Sequence, residues 1–109
     1  MAQFFHPATD DITLTGVLAA LGDPVRLRIV RKLHCQKDGL SCHGATPCEG
    51  LAPSTLSHHF RILRESGVVR TSKVGVSHIN VLRAEDLEMR FPGVLQTILG
   101  QSPEKDAAA

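Results

Sequence analysis

The chain has 109 residues, 42% of them hydrophobic, with 12 Lys and Arg, 11 Asp and Glu and a net charge of +1. That length permits one modest core, and a chain so small is expected to complete its burial by dimerising. Composition excludes a membrane span, since no apolar run of about 18 residues is present, and the three cysteines, an odd number, argue against a disulfide framework.

Residues 1–10 read as an N-terminal arm. Met1-Ala2-Gln3-Phe4-Phe5-His6-Pro7 has neither the basic start nor the apolar block of a signal peptide, so the expected location is the cytoplasm. Leu14, Val17, Leu18 and Leu21 recur at helical spacing and predict a helix over about residues 11–21, ended by Gly22. Asp23-Pro24 is a helix start, with Asp as the cap and Pro in the first turn. Behind it Val25, Ile29, Val30 and Leu33 face inward, while Arg28, Arg31 and Lys32 form a basic outer strip. Residues 40–50 hold two glycines and a proline, a composition that makes a regular helix unfavourable and suggests a loop.

Residues 54–67 predict a short helix in which Leu56, Phe60 and Leu63 lie on the core side. Ser54, Thr55, Ser57, His58 and Arg61 then point away from it. Small hydroxyl side chains let a helix approach base edges closely, and Arg61 and Arg64 have the reach for a guanine or a phosphate. This is the dress of a helix that reads DNA. His59 falls between the two faces, suited either to a phosphate or to packing. Gly67 closes the helix as a left-handed cap.

Val68–Ser72 is rich in β-branched residues, Lys73-Val74-Gly75 offers a turn, and Ser77–Val81 alternates polar with apolar, a β-hairpin with Arg70 and Lys73 expected near its tip. A helix followed at once by such a hairpin is the layout of a winged helix-turn-helix, mostly α with a β-hairpin wing (an α+β fold). Ala84–Arg90 follows as a short acidic helix, Pro92 breaks the pattern, and Val94, Leu95, Ile98 and Leu99 mark a last short helix. The domain therefore spans residues 11–99. Residues 100–109 read as a disordered tail.

Charge supports the same reading once it is divided along the chain. Residues 1–23 carry a net −3, residues 24–51 carry +3, residues 52–83 carry +4 and residues 84–109 carry −3. The positive centre covers the proposed helix and hairpin, where it would attract a phosphate backbone. A plain solvated surface has the same arithmetic.

Ala20-Leu21-Gly22-Asp23-Pro24-Val25-Arg26-Leu27-Arg28-Ile29-Val30, followed by the stretch from Ser54 to Val69, resembles the ArsR/SmtB family of dimeric bacterial transcriptional repressors, over roughly residues 10–99. The resemblance implies a winged-helix homodimer that binds an imperfect palindromic operator in double-stranded DNA and leaves it when an inducer binds. It places Ser54, Thr55, Ser57, His58 and His59 on the DNA-reading helix; the reach of Arg61 and Arg64 and the hairpin position of Arg70 and Lys73 add these four as expected contacts. The first and last helices, 11–21 and 93–99, would form the dimer interface.

The chain departs from the family where some members bind metal. No Cys-Val-Cys pair precedes the reading helix, and the last helix has no His or Cys. Cys35, Cys42, His43 and Cys48 fall within fourteen residues, a set able to hold tetrahedral zinc, while the three thiols suit arsenite or antimonite. Thiol oxidation is a second reading of these candidate sensing residues. The third makes Cys35 a small buried hydrophobe and the other two incidental. The metal assignment stays open among them. An enzyme is not expected, for the chain has no coherent acid/base pair and no Gly-rich phosphate loop. The alternative to a sequence-specific regulator is an architectural protein that binds DNA without reading it.

Overall fold

A computed structural model describes residues 4–41 and 52–101. Cys42, His43 and Cys48, the question of a helix or loop before the reading helix, and the tail from residue 102 lie outside the described residues.

Thr9–Asp11 make one turn of 3-10 helix, and α1 (Leu14–Leu21) starts only after Thr13, whose hydroxyl accepts from the Gly16 amide. The first helix is thus three residues shorter than its apolar spacing suggests. Thr13 supplies a side-chain cap, and the acidic pair Asp10 and Asp11 is spent in the preceding turn. α2 (Pro24–Cys35) begins as expected, with the Asp23 carboxylate accepting from the Val25 and Arg26 amides at 2.9 and 3.1 Å. The remaining elements are β1 (Leu40–Ser41), α3 (Pro53–Glu65), β2 (Val69–Val74), β3 (Ser77–Leu82), α4 (Ala84–Arg90) and α5 (Val94–Leu99).

The sheet is antiparallel with order β1-β3-β2, so the hairpin gains a third strand from a pair of residues that the sequence hid in a loop. β2 and β3 pair from Val69 with Leu82 to Val74 with Ser77. One core joins all elements: Val17 and Leu21 of α1, Ile29, Val30 and Leu33 of α2, Phe60 and Leu63 of α3, and Val68, Val69, Leu82, Leu87 and Leu95. Each fully buried side chain of this size contributes about 1.5–3 kcal/mol.

Helix α3 passes into the hairpin through Gly67, whose φ of +88° is open to glycine at little cost. A Cβ there would also lie 2.5 Å from Ile12 Cγ1. The joint is tight in bonds as well as in space. The Gly67 amide donates to the Arg64 carbonyl and the Val68 amide to the Leu63 carbonyl, while the Arg83 amide donates to Val68 from the far end of the hairpin.

Four polar residues lie inside among the described residues: His59, Thr71, Asn80 and Arg83. Asn80 is fully buried on the same face of β3 as Leu82, although the polar and apolar pattern of Ser77–Val81 suggests an outward side chain; its Oδ1 accepts from Thr71 Oγ1 at 2.6 Å and its Nδ2 donates to the Leu40 carbonyl. This pair ties all three strands together through side chains. Arg83 is 5% exposed, donating through Nε to Asp86 at 2.9 Å and through Nη1 to the Pro7 carbonyl at 2.9 Å. Burial pushes the Asp86 carboxyl upward, but hydrogen bonds from Arg83 and Thr9 and the charges of Arg83 and Arg70 outweigh it and hold its pKa below the usual value.

Candidate nucleic-acid interface

The surface of interest begins with the way α3 starts. Pro53 occupies the first helical position, where its missing amide costs nothing, and no side chain caps the turn. Uncapped amides at a helix start favour an anion such as a phosphate. Ser54, Thr55, Ser57, His58 and Arg61 are all exposed, while Phe60 and Leu63 are buried and Leu56 is half-buried. The periodicity of this helix therefore sorts its side chains as the sequence implies. Among the described residues Arg61 is held by an exposed contact to Glu65 one turn on, at 3.2 Å, with side chains 69% and 51% exposed. Such a pair contributes at most about 0.5 kcal/mol and leaves Arg61 available.

His59 sits elsewhere. It is 9% exposed, turned toward the start of α2, with Nδ1 3.2 Å from Arg26 Nη1 and 3.9 Å from Asp23 Oδ2. A guanidinium only donates, so Nδ1 is the acceptor and the ring is neutral. Burial is the main cause that lowers its pKa; Arg26 and His58 add to this and Asp23 opposes it. Arg26 also donates through Nε to the Ala20 carbonyl at 2.7 Å and through Nη2 to Ala19. His59 thus belongs to a link from the end of α1 through α2 to α3 and is placed off the exposed row.

Arg64 and Arg70 depart from the expected positions too. The Arg64 guanidinium lies 4.5 Å over the Phe4 ring, and Arg64 is half-buried. Arg70 pairs with Val81 near the base of the hairpin and approaches Asp86 at 4.0 Å, because the β2–β3 register puts the turn after Val74. Lys73, paired with His78 one rung from the end, is the basic residue near the wing tip. Arg83, counted in the positive middle of the sequence, is buried and paired with Asp86. No feature of the sequence alone flags that burial.

Cys35 is exposed at the end of α2, which corrects its reading as a buried hydrophobe; that helix end faces solvent. Among the described residues no group of three or more His, Cys, Asp or Glu is placed to hold a metal. An apolar cleft of about 630 Å³ lies among the end of α2, α4 and α5, lined by His34, Met89, Leu95 and Leu99 together with Glu85 and Glu88. On α1, Leu14 and Leu18 are 41% and 46% exposed, and Leu18 shares a shallow groove with Pro92, Val94 and Ile98. No described helix is long and apolar enough to cross a membrane.

A family model described as a helix-turn-helix domain matches residues 21–72. The uncharacterized HTH-type transcriptional regulator YceK of Bacillus subtilis (strain 168) is 32% identical over 90 residues, 83% of this chain and 90% of that one. Among solved structures, the transcriptional repressor BigR from Xylella fastidiosa superposes with a TM-score of 0.56 and 28% identity, covering 72% of this chain and 85% of that one. An ArsR family transcriptional regulator shares the fold with a TM-score of 0.62 and 23% identity, covering 82% and 98%. With its exposed helix, adjoining wing and these relatives, the chain belongs to the DNA-binding HTH-type transcriptional regulators, in the winged helix-turn-helix fold that the ArsR family structure shares.

Proposed function

We propose that the protein is a cytoplasmic, sequence-specific repressor that binds an imperfect palindromic operator as a homodimer and is released by an inducer. The observation that carries this reading is the exposed row of Ser54, Thr55, Ser57, His58 and Arg61 on α3 beside a wing with Lys73 near its tip. Short hydroxyl side chains and an arginine suit base edges in a major groove, and the lysine suits the backbone next to it. Dimerisation draws support from the exposed Leu14 and Leu18 of α1 and the groove that Leu18 shares with α5. A two-fold axis there would place two reading helices on successive major grooves, about 34 Å apart. Sedimentation of wild type as a dimer at micromolar concentration, and of Leu18→Glu as a folded monomer, is the expected result; a monomeric wild type overturns it.

Inducer release is proposed to run through Cys42 and Cys48, which flank a Gly/Pro stretch leading straight into Pro53. Bridging the thiols by oxidation, or by arsenite, antimonite or zinc, would displace the start of α3. The cleft between α2 and α4–α5 offers a small-molecule inducer its place instead. A gel shift on the protein's own promoter, repeated with oxidant, arsenite and zinc, tests both halves. A promoter-specific shift supports the repressor, and equal affinity for scrambled DNA supports an architectural binder. Cys42→Ser with Cys48→Ser should bind DNA and no longer respond to oxidant or arsenite; normal release would leave the small-molecule route.

A further inference from the structure

Residues 4–8 cross the outer edge of the sheet and touch α3, the hairpin and its base at three points. β2 is an outer strand, and the Thr71 amide on its open side donates to His6 Nε2 at 3.0 Å. Two residues earlier, the Phe4 ring stands edge-on to His78 of β3 with centroids 4.9 Å apart, and Arg64 of α3 lies over the same ring. One residue later, the Pro7 carbonyl takes its hydrogen bond from buried Arg83. A single arm thus spans the reading helix, both hairpin strands and the base of the wing.

The chemistry of the His6 contact is one-sided. Nε2 accepts from an amide, so the imidazole is neutral with its proton on Nδ1. Protonation would set one N–H against another. The charged groups around it are Arg64 from α3, Arg70 from β2 and Arg83 after β3, with Asp86 of α4 committed to the last two. Among the described residues an imidazolium would find three cations here, with Asp86 already engaged by two of them.

We infer that His6 is a positioning residue for the DNA-facing surface: neutral, it latches the arm to the wing edge and holds Phe4 between Arg64 and His78, and protonation unlatches it. Burial foremost, and the three arginines after it, lower the His6 pKa below 6.5, in keeping with the geometry. The sign follows. The latch is intact above that value and is lost as pH falls through the lowered one. Its effect on DNA recognition rests on the function proposed above; the latch itself does not.

The test uses the full chain, labelled with nitrogen-15, from about pH 7.5 to pH 5, the range in which histidines titrate. In wild type the Thr71 amide resonance should move with a midpoint below 6.5, and the Arg64 side-chain resonance should lose the shielding of the Phe4 ring. His6→Gln, whose carboxamide oxygen reaches as far and accepts at any pH, should hold both in place, and His6→Ala should resemble the acid form throughout. His78 is common to all three proteins, so the difference between them isolates His6. A duplex selected by the protein from a random pool, measured against its scrambled counterpart, reads the consequence. The affinity ratio should fall about fivefold in wild type, the equilibrium factor of one lost hydrogen bond, and stay level in His6→Gln. A stationary Thr71 amide overturns the latch, and an equal fall of the ratio in His6→Gln overturns its positioning role. If no duplex is selected at all, the DNA-reading function fails, and Thr71 still decides the latch.

Discussion

Arginines serve opposite ends in the two halves of this molecule. In the frame, Arg26, Arg31, Arg83 and Arg90 each donate to a backbone carbonyl of another segment: Ala20, Leu99, Pro7 and Ile12. They clasp loops and helix ends that would otherwise leave acceptors unmet. On the face, Arg61 meets an exposed glutamate, and Lys73 stands near the wing tip. A count of positive residues along the chain treats both groups alike. Their hydrogen bonds separate them, because a guanidinium that has given its donors to carbonyls is no longer offered to a phosphate.

This contrast can be broken by experiment, beginning where the effect is largest. Arg83→Met should cost about 3 kcal/mol in urea unfolding, the low end for breaking a buried pair, since Asp86 keeps some contact with water. The folded fraction should bind DNA as wild type does; a selective loss of DNA affinity would move Arg83 to the face. Arg61→Ala should show the reverse, a loss of about 2 kcal/mol in binding a selected duplex with relaxed sequence preference, and stability changed by no more than about 0.5 kcal/mol. Lys73→Ala should weaken all duplexes by a similar, smaller factor and flatten the logarithmic salt dependence by about one unit; a sequence-dependent loss would make it a base reader. The smallest effect sharpens the boundary between the halves. His59 is neutral in the fold with a lowered pKa, so the stability it lends is present above 6.5 and declines as pH falls below that value. His59→Gln should reduce the acid slope of stability measured by thermal unfolding, leaving the His6 part; an unchanged slope would place His59 back in water.

Local signals were legible in the sequence and remote ones were not. Asp23-Pro24, Gly67 and the β-branched runs act within a few residues, and α2, the end of α3 and the hairpin lie where those signals put them. Thr13 was equally local, but the apolar spacing that starts nearby masked it. The exposed row on α3 followed from helical periodicity alone. What could not be read depends on partners far along the chain. Arg83 is buried because Pro7 lies against it, Asn80 because Thr71 and Leu40 satisfy its amide, and Arg64 meets Phe4 sixty positions upstream. A polar residue in a sequence carries no mark of whether a partner will arrive. His59 shows the limit well: its angle around the helix left two outcomes, and Arg26 on another helix decided between them.

The joint at Gly67 bears on how any signal must travel. Three residues, bonded back to Leu63 and Arg64 and across to Arg83, carry the chain from α3 into β2 with no slack, and Ile12 fills the space beside them. Helix and wing therefore behave as a single lever with its pivot at the core. In the proposed release, a tilt of α3 would carry the wing tip with it, so that base contact and backbone contact would be lost in one stroke and a small rotation of this lever would suffice.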